Sequence, residues 1–433
     1  MYKTLREDAR CINALQKQQK DGIMKRIVMV VGGVETLEYF SYEMGKTFAE
    51  SGYLVFYYDL KDEMTSAKRL RKFIRTGDTV LVTFNFEGLE KEPGVYREGI
   101  GYVWDEYRIP CYNIVADHPY YYHDRLNDLP KEYHHISIDK FQEKYFKEFY
   151  PEYHHLGFLP LAGTELHKEQ SDDKVNAKQE DFLLEELEQM DEKNKDGRYM
   201  DVIMTGNYTP PSFCEKHIHW INEEYAAFYQ GIIDDLIANP NQTVEAAELA
   251  ACEREMGHTP YDEIRIAMHR MIFIDLYVRN YWRGEAVKTL VDAGIVVDVF
   301  GKGWEELECE KPENLRIHPQ TTSLACLQHL GHSKISLNVM PWFKDGAHDR
   351  VFNSILNGAV CVSDKSKYLC EELKEGEGVC YYDLQELTKL PYIVQDLLQN
   401  ENKMQDIVSN GIEKVRKNHT WKSRANQILN WIE

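Results

Sequence analysis

The chain has 433 residues, 43% of them hydrophobic, and 51 Lys and Arg against 72 Asp and Glu, a formal net charge of −21. That length suggests two or three domains, and the composition excludes wholesale disorder and a fibrous repeat. So negative a chain is not a general nucleic-acid binder, whose phosphate contacts need clustered Lys and Arg, and it has no electrostatic grip on anionic lipid.

The first 21 residues are polar with helical spacing and predict a leading helix. They carry no apolar core of a signal peptide, and no apolar run approaches the 18 residues of a membrane span. Lys25–Val31 predicts a strand, Gly32-Gly33 a turn, and Leu37, Phe40, Met44 and Phe48 one face of a helix. Gly52 ends that helix before a strand at Tyr53–Tyr58. Strand, glycine turn, helix and strand make a βαβ unit and imply a parallel sheet. Strands follow at Thr79–Phe84, Cys111–Ala116, His135–Ile138 and His155–Leu159, with helices at Glu98–Tyr107 and Phe141–Tyr150. Residues 1–165 thus form one Rossmann-like domain. Residues 166–198 are mostly charged and predict a surface linker with a helix at Phe182–Met190.

A second α/β domain spans 199–415. It opens with a strand at Asp201–Met204 and carries a helical insertion at about 213–293. Strands are expected at Val296–Phe300, Leu315–His318, Ile335–Val339, Ala359–Ser363 and Gly378–Tyr382, with helices at Leu324–Leu330 and Arg350–Asn357. A last helix, 416–433, would pack back on the N-terminal domain. The nine cysteines are odd in number and form no Cys-x-x-Cys pair. They predict reduced thiols in a cytoplasmic setting and no zinc site. His134-His135 and His154-His155 read as strand-end or surface residues rather than metal ligands.

Two Rossmann-like halves with parallel sheets facing across a cleft would bind ligands outside the carboxyl ends of their strands. In the second half, the stretch 340–358 runs from strand through a glycine loop to a helix. Its free N–H groups and helix dipole suit a phosphate or diphosphate. Val351, Phe352, Ile355 and Leu356 form the buried stripe, and Arg350, Asn353 and Asn357 share the other face. Arg350 would clamp phosphate oxygens and Asn353 a ribose hydroxyl; a plain solvated face is the alternative. Asp345, His348 and Asp349 precede the helix, where one of them could simply cap it. Gly301-Lys302-Gly303-Trp304 and Gly206-Asn207-Tyr208 end two further strands, as Asp364 ends another. In the first half, Gly32-Gly33 and Asp117-His118-Pro119-Tyr120-Tyr121 end strands. Asp117 or His118 suits acid–base or sugar-hydroxyl work, and Tyr120 and Tyr121 suit packing on a sugar ring.

The stretches LNVMPWFKDGAHDRVFNSILNGAVCVSD (337–364), KYLCEEL (367–373), GVCYYDLQEL (378–387) and NHTWKSRANQIL (418–429), with DVFGKGW (298–304) and DVIMTGNYTPP (201–211), resemble the group 1-type glycosyltransferases of the CgeB-like, spore-maturation branch. The resemblance covers about half the chain. It implies the GT-B fold, a donor site in the C-terminal domain, an acceptor site in the other, no obligatory metal and no cofactor beyond a nucleotide-diphosphate sugar co-substrate. Retaining relatives carry Glu-x7-Glu, and here Asp345 and Asn353 stand at those two positions. The expected activity is sugar transfer from a nucleotide-diphosphate sugar to an unknown acceptor, with retention. Asp117, His118, Asp345 and His348 would be catalytic. Gly206, Asn207, Tyr208, Gly301, Lys302, Gly303, Trp304, Arg350, Asn353 and Asp364 would hold the donor. Gly32, Gly33, Tyr120 and Tyr121 would face the acceptor. A catalytically weak sugar-binding or spore-surface assembly protein and a sugar-nucleotide epimerase are the rival readings.

Overall fold

The computed structural model describes residues 25–166, 197–257 and 260–432. The leading helix and the linker helix expected above lie outside them. In chain order the first elements are β1 (Arg26–Val31), α1 (Glu35–Glu50), β2 (Leu54–Asp59), α2 (Glu63–Phe73), β3 (Thr79–Phe84), β4 (Tyr96–Arg97), β5 (Gly101–Tyr102), α3 (Val103–Glu106), β6 (Cys111–Val115), β7 (Tyr133–Ser137), α4 (Lys140–Phe149) and β8 (His154–Phe158). Then come β9 (Met200–Thr205), α5 (Glu215–Ile218), α6 (Glu223–Ala238), α7 (Val244–Met256), α8 (Tyr261–Arg270) and α9 (Ile272–Asp292). The chain closes with β10 (Val297–Phe300), β11 (Leu315–His318), α10 (Ser323–Gly331), β12 (Ser333–Asn338), α11 (Asp349–Leu356), β13 (Val360–Asp364), α12 (Lys367–Glu372), β14 (Val379–Tyr382), α13 (Leu390–Leu398), α14 (Glu401–Asn418) and α15 (Trp421–Ile432).

The fold is α/β with two sheets, each of six parallel strands. The chain divides into two compact units. The first takes the residues up to Leu161, Glu245–Ile272 and the chain from Trp421 on; the second takes Ala162–Val244 and Phe273–Thr420.

The first sheet runs β2-β1-β3-β6-β7-β8. In β1, Ile27 to Val31 are all buried, as a strand covered on both faces requires. Helix α1 buries Leu37, Phe40, Met44 and Phe48, each worth about 1.5–3 kcal/mol of apolar transfer. Helix α15 lies on α1 in this unit, with Trp421 4.2 Å from the Phe40 ring and 6.0 Å from Phe84.

Three expectations fail in this unit. The helix at Glu98–Tyr107 is instead the antiparallel pair β4–β5 followed by the single turn α3. Gly99 and Gly101 adopt φ of +73° and +102°, which break a helix and turn the chain. His135 is not at the surface: it is fully buried, stacked 3.5 Å from the Phe146 ring. The insertion is helical, but Glu245–Ile272 belongs to the first unit rather than the second. Glu245 meets His118 at 3.4 Å, His269 Nδ1 lies 2.8 Å from the Tyr120 carbonyl, and Arg265 donates to the Phe149 carbonyl at 2.9 Å.

The second sheet runs β11-β10-β9-β12-β13-β14, the doubly-wound dinucleotide-fold order 3-2-1-4-5-6. Val, Ile, Leu and Met recur in its strands, interrupted by polar residues such as Asp201, Asp298, Arg316 and Ser336. Truncation of the shared aromatic contact should be costly: Trp421→Ala is expected to lose about 3–5 kcal/mol, read as a lower urea midpoint.

Candidate functional site

In the second sheet the chain turns one way from β9 to β10 and the other way from β12 to β13. The crevice between β9 and β12, at their carboxyl ends, is where sheets of this order bind ligands. Arg350, in the first turn of α11, fills it. The residue is 7% exposed, and Nη1 donates to the Thr205 carbonyl at 2.6 Å. Nε and Nη2 have no hydrogen-bond partner in the protein. A buried donor left unmade costs about 1–3 kcal/mol, so the geometry suits an acceptor that the chain does not supply. Gly206, at the end of β9, has φ of +137°, and a Cβ there would sit 2.8 Å from Arg350 Nη1. Only glycine lets the guanidinium reach that strand end.

A second guanidinium joins it from α9. Arg283 Nη1 donates to the Asn207 carbonyl, and its Nε has no hydrogen-bond partner. Burial first, then the like charges of Arg350 and Arg279, push the Arg283 pKa well below its ordinary value. Arg350 is lowered too, chiefly by burial, with Asp349 and Asp364 opposing. Arg279 is ion-paired with Asp275 at 2.5 Å and lies 4.4 Å over the Trp342 ring, which Arg283 approaches to 5.4 Å. Three cations gathered in one crevice repel each other, and an anion would relieve that.

The remaining loop residues are tied to the protein. His348 Nδ1 accepts the Arg350 N–H at 3.3 Å and lies 2.5 Å from Asp349 Oδ1. Burial and the Arg350 charge lower its pKa. Asp345 is buried beside Lys367 at 3.2 Å. Asp364 accepts the Met340 N–H at 2.8 Å, and burial raises its pKa to about 7.

Loops 206–208 and 301–304 are laced together. Asn207 Oδ1 accepts the Lys302 N–H at 2.9 Å, Tyr208 N–H reaches the Lys302 carbonyl at 2.9 Å, and Trp304 Nε1 donates to the Gly206 carbonyl at 2.8 Å. A Cβ on Gly301 or Gly303 would fall 2.3 Å from the Gly206 carbonyl or 2.0 Å from that of Tyr208. These glycines therefore serve loop packing, where a close ligand approach was expected of them. Lys302 is exposed at the tip.

Asn353 and Asn357 do not lie on a solvated face. Asn353 Oδ1 accepts the Thr164 N–H at 2.9 Å and its Nδ2 donates to Asp349 at 3.0 Å. Asn357 holds the Thr164 carbonyl at 2.9 Å and the Leu166 N–H at 3.1 Å. Gly163 runs so close to α11 that a Cβ would meet Phe352 C at 2.7 Å. Arg416 fixes Glu165 through two bonds of 2.7 Å. Both asparagines thus hold a backbone strap, which commits the Asn353 oxygen to Thr164 and one of its amide protons to Asp349.

In the first unit, Asp117 Oδ2 accepts from Asn85 Nδ2 at 3.1 Å and from the Tyr122 hydroxyl at 2.9 Å. His118 is 5% exposed, with Nδ1 3.4 Å from the Tyr120 N–H and Nε2 3.4 Å from Glu245. The ring is buried, and its Nε2 makes no hydrogen bond in the protein. Tyr120 is fully buried and Tyr121 half-buried against it at 5.3 Å, so Tyr120 offers no face to a sugar. A Cβ at Gly32 would strike Asp59, and one at Gly33 would strike Glu87.

Arg283 and Arg279 were not foreseen. Their i, i+4 spacing on one helix face was the available signal, hidden in a stretch taken only as helical insertion. Among the described residues no group of three or more His, Cys, Asp or Glu could hold a metal ion. Nor is any described helix long and apolar enough to cross a membrane.

Residues 281–430 match the glycosyl transferase-like family Glyco_trans_1_2. No curated protein matches the chain. Solved structures similar to it include a glycosyltransferase from Rickettsia africae, at 10% identity over 94% of this chain and 97% of that one, TM-score 0.46. Anabaena Alr3699/HepE in complex with UDP-glucose is 10% identical over 94% and 99%, TM-score 0.46. Sucrose-phosphate synthase from Thermosynechococcus elongatus is 11% identical over 94% and 98%, TM-score 0.46.

Removing the acceptor of the Thr164 N–H by Asn353→Ala should cost about 1–3 kcal/mol in urea unfolding and leave nucleoside-diphosphate affinity as in the wild type. Asp364 binds its proton more tightly folded than unfolded. The stability it contributes is therefore lost as pH rises from the ordinary aspartate value of 3.8 to about 7. Asp364→Asn should gain on the wild type steadily across that window; a constant difference in unfolding free energy would contradict the raised pKa.

Proposed function

We propose that the protein is a glycosyltransferase that moves a sugar from a nucleotide-diphosphate sugar to a hydroxyl-bearing acceptor. The second unit would hold the donor and the first the acceptor. One observation carries this reading: Arg350 and Arg283, both with unmet donors, converge at the switch point of a sheet in the doubly-wound nucleotide-binding order. A planar guanidinium presents paired N–H groups that match two phosphate oxygens, and two of them suit a diphosphate better than a single phosphate. The family match from 281 to 430 takes in both arginines and the loop between β12 and α11.

The chemistry follows from charge. As the bond from the sugar's anomeric carbon to the diphosphate breaks, negative charge builds on the leaving oxygen. Fixed cations aimed at that oxygen stabilise the transition state more than the ground state. Arg350, Arg283 and the first-turn N–H groups of α11 can do this without a metal. Trp342, stacked beside both Arg279 and Arg283, stiffens the group from the helix side. Asp117, braced by Asn85 and Tyr122, is the acceptor-side candidate for binding a hydroxyl. Retention of configuration and the CgeB-like branch belong to the same proposal, on the motif resemblance. So does a cytoplasmic setting, which eight free cysteines among the described residues fit.

The fate of Asn353 favours one alternative, a catalytically weak protein that binds a nucleotide sugar without turning it over. Release of nucleoside diphosphate from a donor panel separates the two. UDP-glucose, present in the Anabaena structure, is a sensible first probe. Binding should raise thermal stability by mass action. Arg350→Ala and Arg283→Ala are each expected to weaken nucleoside-diphosphate binding by about 2–4 kcal/mol, roughly 30- to 700-fold, with little change in the unliganded melting temperature. Unaltered affinity in both variants would remove the diphosphate site.

A further inference from the structure

The first sheet has its own switch point, between β1 and β3, where the order reads β2-β1-β3. The loops that leave those two strands meet there. After β1 come Gly32, Gly33 and the start of α1, whose N-cap residue Val34 makes no side-chain capping bond. After β3 come Asn85, Phe86 and Glu87. In an ordinary nucleotide-binding half, the uncapped helix end beside a glycine turn receives a phosphate.

Here the protein's own carboxyl takes that place. Glu87 is 8% exposed, and its Oε1 accepts the Val34 N–H at 2.8 Å. A Cβ on Gly33 would lie 2.1 Å from the same oxygen and 3.1 Å from Oε2, so the carboxyl lies flat against the glycine turn. The Glu87 carbonyl is pinned from behind by the Thr83 hydroxyl at 2.6 Å. Asn85 and Phe86 hold left-handed φ values of +45° and +67°, which swing the chain so that Glu87 points back at α1. Around it, Glu38 accepts the Gly32 N–H at 3.3 Å with Lys61 at 3.4 Å, and Glu92 accepts the Gly88 and Glu90 N–H groups at 2.6 and 2.8 Å. Burial, then Glu90, Glu38 and Glu92, raise the Glu87 pKa to about 7, against the pull of the Val34 bond. At the second sheet's switch point the guanidiniums of Arg350 and Arg283 stand with the carboxyls of Asp349 and Asp364, whereas at the first the carboxyls outnumber the cations.

We infer that Glu87 sets the class of molecule the first unit accepts: one presenting hydroxyl groups at the β1–β3 crevice, and not one presenting a phosphate or carboxylate there. A seated carboxyl can accept a hydroxyl proton in a hydrogen bond, whereas above about pH 7, where Glu87 is ionised, a second anion meets like charge at contact distance. This rests on the first unit being the acceptor half, as proposed above. It also accounts for a nucleotide choosing the second unit over the first.

The full chain can be titrated calorimetrically with inorganic pyrophosphate. The wild type should show one site per chain, and Arg350→Ala should lose most of that binding. Adding Glu87→Gln, which keeps the shape and the Val34 bond, or Glu87→Ser, which also opens space, should then tighten residual pyrophosphate binding about tenfold over Arg350→Ala alone. Two sites in the wild type would overturn the inference. So would double variants that bind no better than Arg350→Ala while still unfolding cooperatively. Wild type that binds no pyrophosphate would instead sink the donor reading, and a gain on Glu87→Ser alone would still uphold the role of Glu87. If the serine variant fails to fold, the isosteric glutamine variant carries the same expectation.

Discussion

A guanidinium buried with two of its nitrogens unsatisfied is hard to keep in a folded protein, and the second unit keeps one. Arg350 can stay there only because Gly206 leaves room for it, the Thr205 carbonyl takes one of its protons and Asp349 and Asp364 stand near enough to offset its charge. Arg283 adds a like charge and makes the arrangement less comfortable. Structures tolerate such local discomfort where function requires it.

The rest of the second unit can be understood as support for that residue. The 3-2-1-4-5-6 order opens a crevice at one place only, and α11 starts there. Loops 206–208 and 301–304 grip each other through one main-chain bond and through the Asn207 and Trp304 side chains, which fixes the Asn207 carbonyl that Arg283 uses. Trp304 is fully buried under that pair of loops, and its ring stacks on Tyr208 at 5.1 Å.

Much of this was legible in the sequence. All six strands of the second sheet were placed from short segments rich in Val, Ile, Leu or aromatic residues that end at glycine or a polar residue, and the stripe of Val351, Phe352, Ile355 and Leu356 is buried as its spacing requires. Arg350 and its helix start were visible for the same reason. Other features were not. Helix α2 buries only Ser66, Ala67 and Leu70, too thin a stripe to stand out at helical period. Glu98–Tyr107 has helical spacing, but its two glycines decide the outcome. Tyr120 could lie in or out by composition, and ring packing against His118 and Tyr121 placed it inside. The Thr164 partner of Asn353 lies 189 positions earlier in the chain, beyond any local pattern. Glu87 gives no local sign at all, since its meaning comes from a glycine 54 residues away across the sheet.

The strap at 163–166 has one more implication. Gly163 touches neither arginine, yet the backbone of α11 passes where its side chain would begin. Any larger residue would have to shove the very helix that carries Arg350. A survey of natural variants would find that position immovable and invite a chemical explanation, when the reason is clearance between two crossing segments of main chain.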